Sequence, residues 1–132
     1  MSLPEEELIE RLRRGYEAFN RGDFDVALEF AHPDIVLVPP GGQSARRGAA
    51  AFREWMEPDA FEAQTIEPGE FEVAGNKVLL LQHSTVRGAG SGIEMEIDTW
   101  AVWTFDEDGK VTRIESYLRH EEDEARRAVN AT

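Results

Sequence analysis

The chain has 132 residues, 41% of them hydrophobic, which is the length of one domain with enough apolar side chains for one core. Asp and Glu total 27 against 14 Lys and Arg, a formal charge of −13 that repels nucleic acid and anionic membranes on average. The absence of cysteine excludes disulfides, thiolate metal sites and a cysteine nucleophile.

From Glu5 onward, Leu8, Ile9, Leu12, Tyr16 and Phe19 recur at helical spacing, with acids first and Arg11, Arg13 and Arg14 later, as the helix dipole favours. Ser2, three residues before Glu5, reads either as half of a capping box or, with Leu3, as a cloning residue. Gly22 follows the helix end, and Asp23 can cap a short second helix carrying Phe24, Ala27, Leu28 and Ala31, which Pro33 cannot continue. Ile35 to Val38 is a β-branched run stopped by Pro39-Pro40-Gly41-Gly42, hence a strand and a loop. A third helix is expected from Ala49 to Met56, ending before Pro58, with Phe52, Trp55 and Met56 on one side.

Beyond Pro58 the pattern changes to strands, at roughly 64–73, 77–87, 93–105 and 110–119. Gly75-Asn76, Gly88 to Gly92 and Asp106 to Gly109 separate them as consecutive antiparallel hairpins. Residues 121–132 are charged and end in small side chains, which suggests a short helical turn or a frayed tail. Helices first and strands last argue for one α+β domain over 1–132. No apolar run reaches the roughly 18 residues of a membrane span. The acidic start Met1 to Glu7 lacks the positive region of a signal peptide, so a cytoplasmic protein is expected.

The motifs that could carry chemistry are few. Gly88-Ala-Gly-Ser-Gly92 joins two strands and lacks the helix and Lys-Ser/Thr pair of a phosphate loop, and Ser91 is not in a nucleophile elbow. His32, His83 and His120 are too scattered for a metal pattern, so neither metal nor cofactor is expected.

Tyr16-Glu-Ala-Phe-Asn-Arg-Gly-Asp23, Ala31-His-Pro-Asp-Ile-Val-Leu-Val-Pro39, Arg47 to Trp55, and Trp103-Thr-Phe-Asp-Glu-Asp-Gly-Lys-Val111 together resemble the nuclear transport factor 2-like superfamily. Within it the similarity is to SnoaL-like proteins and relatives of ketosteroid isomerase. The resemblance implies a cone: three N-terminal helices packed on a strongly curved, mixed, mostly antiparallel sheet that encloses a pocket, and a homodimer through the sheet's outer face.

Strand alternation then sorts the walls. With Glu70 and Glu72 outward, Phe71 and Val73 face in, as do Val78, Leu80, Gln82, Ser84 and Val86. With Glu94, Glu96 and Asp98 outward, Ile93, Met95, Ile97, Thr99, Ala101, Trp103 and Phe105 face the helices, joined by Thr112, Ile114, Ser116 and Leu118. The expected ligand pocket is Phe19, Val38, Trp55, Met56, Leu80, Gln82, Ser84, Thr99, Ala101, Ile114, Ser116 and Leu118. Trp100, Val102 and Tyr117 project from the other face, next to His83, Arg113, Glu115 and Arg119, and suggest the dimer contact.

Ketosteroid isomerase works with a carboxylate base, a tyrosine and a protonated aspartic acid. The resemblance puts Gly15 at the tyrosine position, with Tyr16 about 100 degrees further around the helix, Val38 at the base and Ala101 at the acid. What remains is a neutral polar set, Gln82, Ser84, Thr99 and Ser116. The sequence therefore points to binding of a small hydrophobic molecule. The alternatives are an isomerase, cyclase or hydrolase using Tyr16, His83 or His120, and an interaction module whose interior is filled.

Overall fold

The computed structural model describes residues 3–57 and 61–131; Ser2 and Pro58, expected at two helix boundaries, lie outside these. Helix α1 spans Glu5–Asn20 and buries Leu8, Leu12, Tyr16 and Phe19 along one face, as the spacing requires. It stops at Gly22, whose φ of 79° is the left-handed conformation that closes a helix end, with Gly22 N–H donating to Phe19 O at 2.9 Å. Asp23 caps α2, Phe24–Ala27, by accepting from Val26 N–H.

This second helix is shorter than its apolar residues suggested, because Ala31 already belongs to strand β1, Ala31–Val38. Pro33 sits in the irregular part of that strand, between the paired residues Ala31 and Val36, where its missing N–H removes no ladder bond. A two-residue strand β2, Arg46–Arg47, and helix α3, Ala49–Met56, follow. The remaining strands are β3, Phe61–Pro68; β4, Glu72–Ala74; β5, Lys77–Gly88; β6, Glu94–Phe105; and β7, Val111–Leu118. The sheet runs β2-β1-β7-β6-β5-β3 with β4 also on β5, and is antiparallel except for the β1–β7 pair. The α+β cone with a mixed sheet is thus present, and no helix among the described residues is long and apolar enough to cross a membrane.

Two irregularities shape the cone. The stretch 64–73 is not one strand: Pro68 pairs with Gln82 but Glu72 with Leu79, so an extra residue is looped out around Gly69. That bulge changes which parity faces in, from Gln64 and Ile66 before it to Phe71 and Val73 after it. At the other end, Thr104 pairs with Arg113 but Phe105 with Val111. Val111, not Thr112, therefore turns inward, which corrects the simple alternation.

The expectation for the C-terminus is also corrected. After a 3-10 turn, Arg119–Glu121, the chain forms helix α4, Glu122–Asn130, the fourth α-helix among the described residues. Its Ala125 and Val129 pack on Leu79, Trp100 and Val102 on the outer face of the sheet. Lys77 Nζ donates to Ala128 O at 3.1 Å, and Arg126 stacks over Trp100 while pairing with Glu72. The patch of Trp100, Val102 and Tyr117 is thus not a free dimer surface: this chain's own helix covers Trp100 and Val102, and Tyr117 packs against the same cluster. Among the described residues, the large apolar side chains left exposed are Ile93, Met95 and Ile97, which were expected to face the helices.

Candidate functional site

Between the helices and the inner face of the sheet lies a cavity of about 740 Å³. From the helices it is lined by Phe19, Trp55 and Met56, as expected, and also by Leu12, Tyr16 and Phe52. The sheet contributes the expected Gln82, Ser84, Thr99 and Ala101 from β5 and β6, and Ile114, Ser116 and Leu118 from β7.

Two expected lining residues are elsewhere. Leu80 points inward but is fully buried in the main core. On β1 the core side carries Ile35 and Leu37, and Pro39 beyond the strand reaches the cavity, so Val38 has the opposite parity and lines no part of it. The position assigned to a base is therefore occupied, on the inner side, by Leu37 or Pro39, and neither can take a proton. Gly15 and Ala101, at the tyrosine and acid positions, do line the cavity.

Tyr16 is the central polar group that the spacing alone did not assign to the pocket. Trp103 Nε1–H donates to its hydroxyl at 3.2 Å, and the two rings meet edge to face at 5.8 Å. The Tyr16 hydroxyl donates in turn to Gln82 Oε1 at 2.7 Å, and Gln82 Nε2–H donates to Thr99 Oγ1 at 3.1 Å. Burial pushes the Tyr16 phenol well above its ordinary value, so it stays a neutral donor at physiological pH. The signal was present in the sequence: a buried tyrosine or tryptophan seeks a partner for its polar atom, and both lie on inward-facing positions.

No Asp, Glu or His lines the cavity among the described residues. The one charged lining residue among those described, Arg11, donates to Glu7 and to Gly109 O at 2.8 Å and covers the Phe30 ring, so its guanidinium is already partnered. His120 is exposed on the 3-10 turn. His83 faces outward from β5, with Nδ1 2.6 Å from Asp98 and Nε2 3.0 Å from Glu96; Arg119 also pairs with Asp98. Hydrogen bonding to Asp98, then to Glu96, holds the His83 imidazole above its ordinary value. Neither histidine reaches the cavity. Among the described residues there is no cluster of three or more His, Asp or Glu suited to a metal ion.

Two buried polar atoms in the cavity lining lack partners: Gln64 Oε1 on β3 and Ser116 Oγ on β7. Buried polar groups are nearly always satisfied, so these stand out as sites for a guest molecule.

A curled mixed sheet closed by helices around an internal cavity defines the nuclear transport factor 2-like class. Residues 12–114 match the model of the SnoaL-like domain, and the chain belongs to that family. No curated protein matches it. Solved structures with the same fold include SalBIII, described as an epoxide hydrolase/cyclase-like enzyme in pyran ring formation in polyether salinomycin, at 24% identity and a TM-score of 0.78 over 86% of this chain and 91% of that one. TerC, crystallised with polyporic acid, is 25% identical with a TM-score of 0.72 over 89% and 95% of the two chains. A Mycobacterium tuberculosis protein in complex with estradiol-17beta-hemisuccinate is 15% identical with a TM-score of 0.74 over 85% and 93%.

Proposed function

We propose that this chain binds a neutral, largely apolar small molecule in the cone cavity and does so without acid–base chemistry of the ketosteroid isomerase kind. The observation that carries the reading is the composition of the cavity wall: about 740 Å³ bounded by apolar side chains and neutral hydrogen-bonding groups, with Arg11 already paired and no carboxylate or imidazole among the described residues. This volume lies within the range of small-molecule sites, and a few placed polar groups in an apolar wall are what orient a ligand. A filled interaction module is disfavoured by the same open volume. The overall charge of −13 disfavours nucleic acid and anionic ligands.

The test is native mass spectrometry and thermal shift against a panel of neutral polycyclic compounds and their anionic analogues, with each ligand recovered and weighed after incubation. Tight binding of neutral members, recovered unchanged, supports the reading. Preference for anions, or conversion of the ligand to a compound of different mass or structure, overturns it.

A further inference from the structure

Resting on that reading, we propose that Thr99 and Ser116 form a two-hydroxyl site for one neutral carbonyl oxygen of the ligand, seated over Ala101. The direction of the hydrogen-bond chain fixes the first donor. Tryptophan only donates, so Tyr16 accepts from Trp103; the Tyr16 hydroxyl in turn donates to Gln82 Oε1. The Gln82 amide then presents N–H to Thr99, whose oxygen accepts at 3.1 Å. The Thr99 hydroxyl makes no other hydrogen bond among the described residues, so its proton is left for the cavity that it lines.

Ser116 supplies the second donor. It is 5% exposed, and its Oγ has no partner. In the sheet register Ala101 lies directly opposite Ser116, and Thr99 opposite Leu118, so Thr99 and Ser116 are diagonal neighbours on one face. Diagonal Cβ atoms are about 7–8 Å apart or slightly less. Each hydroxyl spans about 4 Å from its Cβ to an accepting oxygen, counting an O–H···O separation of about 2.7–2.8 Å. One oxygen between them is therefore within reach of both. The small Ala101 side chain beneath leaves it room.

The chemistry selects the guest. Two hydroxyl donors suit the two lone pairs of a ketone, quinone or lactone carbonyl. A carboxylate would enter an apolar cavity facing only neutral donors, while the one lining cation, Arg11, is committed to Glu7 and Gly109. A hydrocarbon would leave both hydroxyl protons without an acceptor.

The test uses compounds of one ring skeleton: 9-fluorenone, fluorene and fluorene-9-carboxylate, titrated by quenching of tryptophan fluorescence. Wild type is expected to bind the ketone about tenfold more tightly than the hydrocarbon, for two neutral hydrogen bonds, and the carboxylate most weakly. Ser116→Ala is expected to weaken the ketone by about three- to tenfold, leave fluorene unchanged and shift the bound carbonyl stretch to higher wavenumber. Its urea midpoint should not fall, because Ser116 Oγ has no partner to lose. Equal binding of ketone and hydrocarbon, a Ser116→Ala variant that binds fluorenone as wild type does, or a carboxylate bound best overturns the carbonyl site and leaves the cavity reading standing on the first two. If neither fluorene nor fluorenone binds, the cavity reading itself fails, and the carbonyl site with it.

Discussion

Replacing Tyr16 by Phe removes one oxygen and breaks the chain of donors at its middle. The hydroxyl accepts from Trp103 Nε1–H and donates to Gln82 Oε1, so its loss strands a donor and an acceptor on the cavity wall. A stranded, fully buried polar group costs about 1–3 kcal/mol, but a cavity of about 740 Å³ can admit water to replace part of each bond. The net loss expected is therefore about 1–3 kcal/mol for the pair, well inside the roughly 5–15 kcal/mol that keeps a domain folded. In urea the midpoint falls while the slope is unchanged, followed by tryptophan fluorescence. Ser116→Ala is the paired control, since it also deletes a buried hydroxyl from the same cavity but one without partners. If Tyr16→Phe proves as harmless as Ser116→Ala, the chain from Trp103 to Thr99 does not contribute to stability, and the direction assigned to the Thr99 proton loses its support. The wild-type phenol provides a second check. Its value is raised in the folded state, so the folded protein keeps a proton that the unfolded chain releases above about pH 10, and stability declines as pH rises beyond that point.

On the outer face, His83 is raised by Asp98 and Glu96, and its contribution is complete below about pH 6.5 and lost as pH rises through the folded value. Asp98 is lowered, first by the hydrogen bond from His83 and also by Arg119, so its contribution is present above about pH 3.9 and lost as pH falls further. Stability against urea is expected to peak between roughly pH 4 and 6.5, and His83→Gln should flatten the upper limb; an unchanged limb would remove His83 from the account. Val129→Asp places a carboxylate under α4 against Leu79, Trp100 and Val102, at an expected cost of about 2–4 kcal/mol. A red shift of Trp100 emission and concentration-dependent association, seen by light scattering, should accompany it; wild-type emission would show that α4 does not hold the face. Gly69→Ala puts a Cβ 2.7 Å from the backbone oxygen of Leu81 at the β3–β4 bulge, where nothing flexible can yield. A loss of about 1–3 kcal/mol in the urea midpoint is expected, and none would mean the bulge relaxes freely.

The parts of the fold that were legible in the sequence are those governed by local rules. Leu8, Leu12, Tyr16 and Phe19 announce α1 by spacing, and the alternation of Glu94, Glu96 and Asp98 with Ile97, Thr99 and Ala101 assigns the inner face of β6 without reference to any partner strand. What was not legible depends on pairing between distant segments. The bulge at Gly69 is visible only when Pro68 and Glu72 are laid against β5, and the exclusion of Thr112 only when Val111 is laid against Phe105. Val38 was placed by resemblance, one residue off the parity that Ile35 and Leu37 establish in β1. Helix α4 was hidden for a different reason. Its charged residues dominate the composition of 121–132, while the apolar stripe is only Ala125, Ala128 and Val129, meaningful only above an outer sheet face that needs a cover.

The same distinction bears on the site. A proton-transfer enzyme of this fold requires ionisable groups in an apolar wall, where desolvation tunes them. Here the inner face offers Ala101 and, in place of the misassigned Val38, Leu37 and Pro39. Four of its polar side chains form a one-way series from Trp103 through Tyr16 and Gln82 to Thr99. Such a series cannot accept a proton from a substrate without reversing every bond in it, and its first member, an indole N–H, cannot reverse at all. Along this series the cavity therefore presents a hydrogen-bond donor at Thr99, while Gln64 Oε1 on β3 is an acceptor without a partner.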